Sequence, residues 1–168
     1  MAQNKNISQM MTSIDQDWAT PQYFVDLVEE SFGIDFDIDV CAYDHTAKAK
    51  KWFTEADNAL TQDWKGNCWM NPPYGQAIPT WLNYAYNQSI KHNSIIICLV
   101  PARTDTRWFH DASERGQMLL LKGRIAFERA NGEDTEHKPG AFGSVLIAFG
   151  PEMKKGVIET WEWKDELS

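Results

Sequence analysis

The sequence is poor in cysteine, lacks any long apolar run and has no surplus of positive charge. Its three cysteines, Cys41, Cys68 and Cys98, lie in or beside apolar strand-like runs, without a CxxC spacing or a histidine partner. We expect reduced core residues, which excludes a disulfide framework and a zinc site. No apolar run reaches the roughly 18 to 20 residues that cross a bilayer, and residues 1–9 lack the layout of a secretory signal. We therefore expect a cytoplasmic protein without membrane contact.

A glycine-rich loop is also missing where a phosphate-binding protein would need one. Residues 42–45, which follow the first strand-like segment, read Ala-Tyr-Asp-His and contain no glycine. This argues against a loop that cradles the phosphates of a dinucleotide. A cofactor without phosphates is not excluded.

The net charge of -8 disfavours an extended phosphate-binding surface, because most DNA-binding proteins are basic. The basic residues are nevertheless concentrated in one stretch, which contains Arg103, Arg107, Arg115, Lys122, Arg124 and Arg129. This stretch is the candidate phosphate-facing surface, and ordinary solvated charges near loops are the alternative.

With 168 residues, 43% of them hydrophobic, the chain can bury the core of one ordinary domain. We expect residues 1–16 to form a flexible N-terminal segment and residues 17–168 to form that domain. Thr20 is expected to be the N-cap of the first helix, Pro21 its first residue and Gly33 its end. Further helices are predicted at residues 77–91 and 106–113, and strands at residues 34–42, 67–70, 95–100, 118–122 and 144–149.

Apolar strands separated by helices are typical of an α/β protein whose mostly parallel sheet is covered on both faces. The last predicted strand, residues 144–149, is reached without a helix. We expect this C-terminal strand to be antiparallel, as an edge or an inserted strand, after a mobile polar loop at residues 131–143.

The most informative motif is Asn71-Pro72-Pro73-Tyr74, directly after the apolar segment 67–70. Such a turn is suited to the exocyclic amino group of adenine, whose nitrogen is a poor nucleophile because its lone pair is delocalised into the ring. The Asn71 side-chain oxygen and the Pro72 carbonyl are predicted to accept both amino protons, in a geometry that proline makes rigid. Tyr74 offers a flat surface on which a base can stack.

Ligands of open α/β sheets bind beyond the carboxyl ends of the strands, and Asp39 lies near such an end. Its carboxylate suits an ammonium group or ribose hydroxyls, and capping of the following turn is the alternative. Asp63, before Trp64, suits the adenine of S-adenosylmethionine, which carries no phosphate; an ordinary turn residue is equally compatible. Trp18 and the start of the helix at Pro21 are predicted to form a third wall of the cofactor site. A helix N-terminus favours a carboxylate, and the methionine part of S-adenosylmethionine carries one.

Taken in order, the motifs resemble the phage and prophage Dam-type DNA N6-adenine methyltransferases over nearly the whole chain. The turn at residues 71–74 also occurs in methyltransferases of protein glutamine and of RNA, but the ordered series is much more specific. The segments that carry the resemblance are residues 18–21, residues 37–42, Asp57 with Leu60, residues 63–64, residues 69–74, Trp81, residues 99–104, residues 108–110 and residues 122–127.

The resemblance implies a reduced class I, Rossmann-like S-adenosylmethionine-dependent methyltransferase fold, encoded by a phage or prophage and working in the cytoplasm of the bacterial host. It implies S-adenosylmethionine as cofactor, DNA as partner and no metal ion. The catalytic role falls to Asn71, Pro72, Pro73 and Tyr74. Cofactor contacts are expected from Trp18, Thr20, Pro21, Asp39, Cys41, Ala42, Asp57 and Asp63. The phosphates around a flipped adenine are assigned to Arg103, Arg107 and Arg124.

The sequence departs from the pattern of larger methyltransferases in two respects, and it leaves two alternative functions open. The span between the first strand and the turn is short, which leaves the ribose and adenine contacts of the cofactor undefined, and no separate target-recognition domain is present. The small size leaves a homodimer open as the form that surrounds a duplex. The alternatives to DNA are a glutamine amide in a protein or an amino group in RNA as acceptor, and a catalytically silent binding module of the same fold.

Overall fold

The computed structural model describes residues 18–129 and 140–168. The segment predicted to be flexible, residues 1–16, and most of the predicted loop at residues 131–143 lie outside the described residues. The helices are α1 (Gln22–Phe32), α2 (Ile78–His92) and α3 (Arg107–Arg115), with short 3-10 turns at Glu55–Asp57, Ala59–Thr61 and Trp163–Leu167. The strands are β1 (Trp18–Ala19), β2 (Ile38–Asp39), β3 (Lys51–Trp52), β4 (Cys68–Met70), β5 (Ile96–Pro101), β6 (Gln117–Leu121), β7 (Glu128–Arg129), β8 (Ser144–Phe149) and β9 (Ile158–Trp161).

Seven strands form one mixed sheet in the order β3-β2-β4-β5-β8-β6-β9. The run from β3 to β5 is parallel, and so is the pair β6 and β9, whereas β8 is antiparallel to both of its neighbours. The protein is therefore an α/β protein with a mostly parallel sheet and one inserted antiparallel strand. The sheet is compatible with a methyltransferase-like fold.

The antiparallel direction of residues 144–149 is confirmed, and of the two predicted positions the inserted one is observed. β8 is an inner strand, with all six of its residues buried between β5 and β6. One detail is wrong, because β8 is not the last strand: β9 follows it and pairs in parallel with β6. A strand that is apolar on both faces fits a central position, whereas the largely exposed β9 carries no apolar run that could have been recognised.

The sheet is covered on both faces, as predicted. On one face, Cys68 and Met70 of β4 pack in a cluster with Ile78 and Leu82 of α2. On the other face, Trp69 packs in a cluster with side chains of α1, among them Phe24, Val25 and Val28. The alternation along β4 follows from the two-residue period of a strand.

The start of α1 differs from the prediction. Pro21 is the N-cap, and no side chain caps the helix. The Pro21 carbonyl accepts hydrogen bonds from the backbone N–H groups of Phe24 and Val25, at 3.1 and 3.4 Å. Thr20 therefore lies outside the helix and its hydroxyl is available for another contact. The helix ends at Gly33, with φ of 65°, as predicted.

The parallel strands β2, β4 and β5 end at the same edge of the sheet. Asp39 of β2 lies opposite Trp69 of β4, and Met70 lies opposite Cys98 of β5. The segments that follow these strands therefore meet, and the Asn71-Pro72-Pro73-Tyr74 turn is one of them. Among the helices that the structure describes, none has the length and apolar character needed to cross a membrane.

Candidate functional site

A cavity of about 560 Å³ opens at this edge of the sheet. Its walls come from β1, the segment after β2, the 3-10 turns, the turn at residues 71–74, Trp81 of α2 and residues 140–142. This volume is within the range of sites for small molecules and cofactors, which is roughly 300 to 1,000 Å³.

The Asn71 side chain is held in the wall of the cavity by a contact from the other end of the chain. Its amide nitrogen Nδ2 donates a hydrogen bond of 3.1 Å to Thr20 Oγ1. Its oxygen Oδ1 is buried and has no hydrogen-bond partner among the described residues. An unsatisfied buried acceptor costs about 1–3 kcal/mol, so its presence here indicates a place for an external donor.

Tyr74 lines the cavity beside an aromatic residue that the sequence analysis missed. The rings of Tyr74 and Phe142 meet edge to face, with centroids 5.7 Å apart and planes at 62°. Such pairs are favourable and fix the orientation of both rings. The cavity therefore has a rigid aromatic wall next to Asn71.

Asp39 is almost fully buried at the end of β2 and also lines the cavity. Its two carboxylate oxygens accept hydrogen bonds from the backbone N–H groups of Cys41 and Lys48, at 3.1 and 3.0 Å. It thus caps the following turn, which was the alternative considered from sequence. Burial raises the pKa of Asp39 to about 6, although both hydrogen bonds oppose the shift.

Two further charged residues line the cavity, and neither was recognised from sequence. Lys48 is the one basic side chain among the described lining residues, and burial lowers its pKa against the attraction of Glu128, Asp39 and Asp26. Glu55 begins a 3-10 turn and supplies a second carboxylate. Their signal in the sequence is weak because each lies in a polar loop of ordinary composition.

The predicted cofactor residues separate into two groups. Those that line the cavity are Trp18, Thr20, Asp39, Cys41 and Ala42, whereas Pro21, Asp57 and Asp63 do not. The Asp57 carboxylate accepts hydrogen bonds from the backbone N–H and the hydroxyl of Thr54, which lower its pKa. Asp63 forms an exposed ion pair of 2.6 Å with Lys91.

Trp18 reaches the cavity through a two-stranded ribbon that the sequence did not predict. β1 pairs antiparallel with β7, with Trp18 opposite Arg129 and Ala19 opposite Glu128. The Arg129 guanidinium lies 5.6 Å from the centre of the Trp18 ring, a cation–π contact. Phe127, directly before β7, joins the same wall.

None of the three predicted DNA-contacting arginines lines the cavity. Arg107 begins α3 with 94% of its side chain exposed, and its Nε is 4.0 Å from an Asp111 oxygen. Arg124 donates to the Gly140 carbonyl at 3.2 Å, next to the residues that line the cavity. Arg103 lies in the segment between β5 and α3.

The described part of the site offers carboxylates, one ammonium, aromatic rings and amide groups. Across residues 18–129 and 140–168, no group of three His, Cys, Asp or Glu side chains is arranged to hold a metal ion. The three cysteines are free thiols, and burial raises the pKa of Cys41, which lies in the lining.

Comparison with known proteins gives a consistent result. Residues 7–168 match the family described as DNA N-6-adenine-methyltransferase (Dam). A DNA N-6-adenine-methyltransferase of Haemophilus phage HP1 is 35% identical over 149 residues, covering 85% of this chain and 83% of the relative. A protein of the same name from Escherichia phage T1 is 26% identical over 160 residues, covering 84% of this chain and 65% of the relative. No solved structure matches the chain.

Proposed function

The chain belongs to the DNA N-6-adenine-methyltransferase (Dam) family and methylates adenine N6 in DNA, and from this premise we propose that the cavity holds S-adenosylmethionine and the target adenine together. The observation that carries the proposal is the buried Oδ1 of Asn71, a residue of the cavity lining, which has no partner among the described residues. An adenine amino group is a donor that would satisfy it.

The groups in the cavity fit the donor molecule, which has an ammonium, a carboxylate, ribose hydroxyls and an adenine ring. Lys48 is placed to pair with the carboxylate, and Asp39 and Glu55 supply acceptors for the ammonium and the hydroxyls. Trp18 adds an aromatic face. We leave Asp57 and Asp63 out of this set because neither of them lines the cavity.

The turn at residues 71–74 prepares the amino group to react. When bound, S-adenosylmethionine supplies an electrophilic methyl group, so no residue has to activate the donor. Asn71 Oδ1 and the Pro72 carbonyl accept the two N6 hydrogens, which localises the nitrogen lone pair. As the new N–C bond formed, the bond between that carbon and the donor sulfur would break, and the sulfur would leave with the electron pair as a neutral thioether. The two acceptors would stabilise the positive charge that develops on N6, until one N6 proton leaves for water.

Tyr74 and Phe142 are placed to hold the target base outside the duplex. Flipping a base costs a few kcal/mol, which stacking on an aromatic ring offsets. Because the Tyr74 ring is fixed by its edge-to-face contact with Phe142, little side-chain freedom is lost when the base binds. Exposed Arg107 is available for a phosphate of the bound DNA.

The function is tested by expressing the chain in a host without adenine methylation and digesting the DNA to nucleosides. N6-methyladenine should appear in DNA, and sequencing of the modified positions would give the target. Methylated RNA or methylated protein glutamine with unmodified DNA would support one of the other acceptors. Failure of the purified chain to bind S-adenosylmethionine by calorimetry would support a silent binding module.

Cofactor affinity is expected to depend on the charge of Asp39. Because the ionised carboxylate is the form that binds an ammonium or accepts from hydroxyls, affinity should be constant above pH 7 and fall as Asp39 is protonated. With a pKa of about 6, the loss approaches about tenfold per pH unit in more acidic solution. Calorimetric titration of S-adenosylmethionine between pH 5 and 8 measures it, and Asp39→Asn should bind weakly with a flatter profile.

The same pKa predicts a pH effect on the free protein. Since the pKa of Asp39 is raised above its usual 3.8, its contribution to stability is full below pH 3.8 and is lost as the pH rises through 6. Asp39→Asn should remove that pH dependence of the free energy of unfolding, which urea denaturation at several pH values measures.

The matched control for the binding experiment is Asp35→Asn, which changes an exposed carboxylate ahead of β2. This variant should leave the pH profile of S-adenosylmethionine affinity unchanged. An unaltered profile in Asp39→Asn would remove this residue from the cofactor site.

Replacement of Arg107 by alanine is expected to weaken DNA binding and not the chemical step. Its side chain is 94% exposed and its contact with Asp111 is long, so the charge is available to a phosphate. Loss of one phosphate contact should lower the slope of log K against log salt by about 0.9. Fluorescence anisotropy with labelled duplex at several salt concentrations measures both effects. Lys91→Ala is the basic control, because that amine is paired with Asp63; equal salt slopes for the two variants would exclude Arg107.

A further inference from the structure

Thr20 connects the β1–α1 segment to the catalytic turn. Its side chain is 2% exposed, and its Oγ1 accepts the 3.1 Å hydrogen bond from Asn71 Nδ2 across 51 positions of sequence. The residue was expected to be the helix N-cap, yet Pro21 is the N-cap and no side chain caps α1. The buried Thr20 hydroxyl therefore serves as the acceptor for the Asn71 amide and not as a helix cap.

We propose that Thr20 is a positioning residue that keeps the oxygen end of the Asn71 amide turned to the substrate, an inference that rests on the proposed function. The two ends of an amide have the same shape but opposite hydrogen-bonding character. With Nδ2 bonded to Thr20, only the acceptor Oδ1 is left for the cavity. Rotation of the amide by 180° would set its NH2 against the adenine amino group, donor against donor.

Removal of the Thr20 hydroxyl changes the balance between these two orientations. The Asn71 amide hydrogens would then lose their acceptor in a buried place, at a cost of about 1–3 kcal/mol. Rotation of the amide does not avoid this cost, because it sets Oδ1 instead of the NH2 group against the apolar side chain. The amide is then no longer held in one position. The variant should therefore present either the wrong group or a misaligned oxygen to adenine, while its cofactor site remains intact.

The test compares Thr20→Val, which keeps the shape, with Thr20→Ser, which keeps the hydroxyl. Thr20→Val should lower the single-turnover rate by roughly 10- to 100-fold, with the calorimetric Kd of S-adenosylmethionine within about twofold of the parent. Thr20→Ser should recover most of that rate. Weakening of cofactor binding by the same factor as the rate would overturn the inference and make Thr20 a direct cofactor contact, and an unchanged rate would also overturn it. If the valine variant does not fold, Thr20→Ser and Thr20→Ala differ by the same hydroxyl.

A spectroscopic readout separates this inference from the proposed function. The side-chain amide signal of Asn71 is assigned by its absence in Asn71→Ala. In the parent protein its protons should exchange slowly with water, and in Thr20→Val the exchange should be faster by at least about fivefold, because one bond to a buried acceptor is lost. This measurement needs no methylation activity, so it stands even if DNA is not the acceptor. Equal exchange rates in the two proteins would show that the bond does not hold the amide.

Discussion

Replacing Asn71 by alanine is expected to lower the single-turnover rate of methyl transfer by roughly 10³-fold, the upper range for loss of one aligned group in a transition state. The variant lacks the buried Oδ1 that accepts from N6, and the Pro72 carbonyl alone cannot hold the nitrogen in the reactive geometry. Cofactor affinity should stay within about twofold, because the charges that bind the donor lie on other residues. Quench-flow with isotopically labelled donor gives the rate, and calorimetry gives the affinity.

The control for this experiment is Asn87→Ala, an exposed asparagine on α2. It should retain the parent rate and affinity. Turnover of Asn71→Ala at the parent rate would rule out the proposed holding of the amino group. A combined loss of cofactor binding and rate would instead assign Asn71 to the donor site.

The elements that sequence predicted best are those in which side-chain pattern and tertiary position agree. For α2, the predicted range 77–91 and the observed Ile78–His92 nearly coincide, because apolar residues recur at helical spacing and face the sheet. β8 coincides fully with residues 144–149, since a strand buried on both faces is apolar throughout. In such segments the burial of each residue can be predicted from the pattern of apolar residues.

The strands that sequence missed are edge strands. Both residues of β3 are exposed, and β9 is largely exposed. Their place in the sheet comes from main-chain pairing, such as the bond from the Phe53 N–H to the Asp39 carbonyl at 2.9 Å. Main-chain hydrogen bonds do not depend on residue type, so they produce no pattern in the sequence from which the strand could be predicted. The predicted strand 34–42 is also shorter in the structure, where the strand β2 contains only Ile38–Asp39.

Part of the site was predictable because it follows from the order of neighbouring strands. Asp39 is the last residue of β2, and the turn at residues 71–74 follows β4. Because β2 and β4 are adjacent and parallel, the meeting of these residues follows from the topology of the sheet. The Thr20 contact, by contrast, depends on where the chain enters α1. Phe142 comes from a segment ahead of β8. No local pattern reports contacts between segments so far apart in sequence.

Gly150→Ala is expected to destabilise the fold by about 3–5 kcal/mol, from backbone strain together with a steric overlap. Gly150 directly follows β8 and has a φ of 123°, a conformation that residues with side chains rarely adopt. An added Cβ would overlap the Ser94 carbonyl oxygen and lie 3.0 Å from Ile95 Cα, both in the backbone that leads into β5. Since β5 and β8 pair along their full length, neither backbone can move away without loss of ladder hydrogen bonds. Urea denaturation followed by circular dichroism measures the free energy of unfolding.

Gly75→Ala separates the two contributions, because Gly75 has a similar φ of 111° but no atom within 4 Å of an added Cβ. This control should lose only the strain energy, about 1–3 kcal/mol. The difference between the two variants then measures the close approach of the β8 end to the Ser94 backbone. Equal losses would mean that this approach relaxes freely, and the inserted antiparallel strand would be less tightly held to β5 than its buried ladder indicates. A larger loss for Gly150→Ala would show that β8 is held rigidly against β5. β5 also pairs with β4, the strand directly before the catalytic turn.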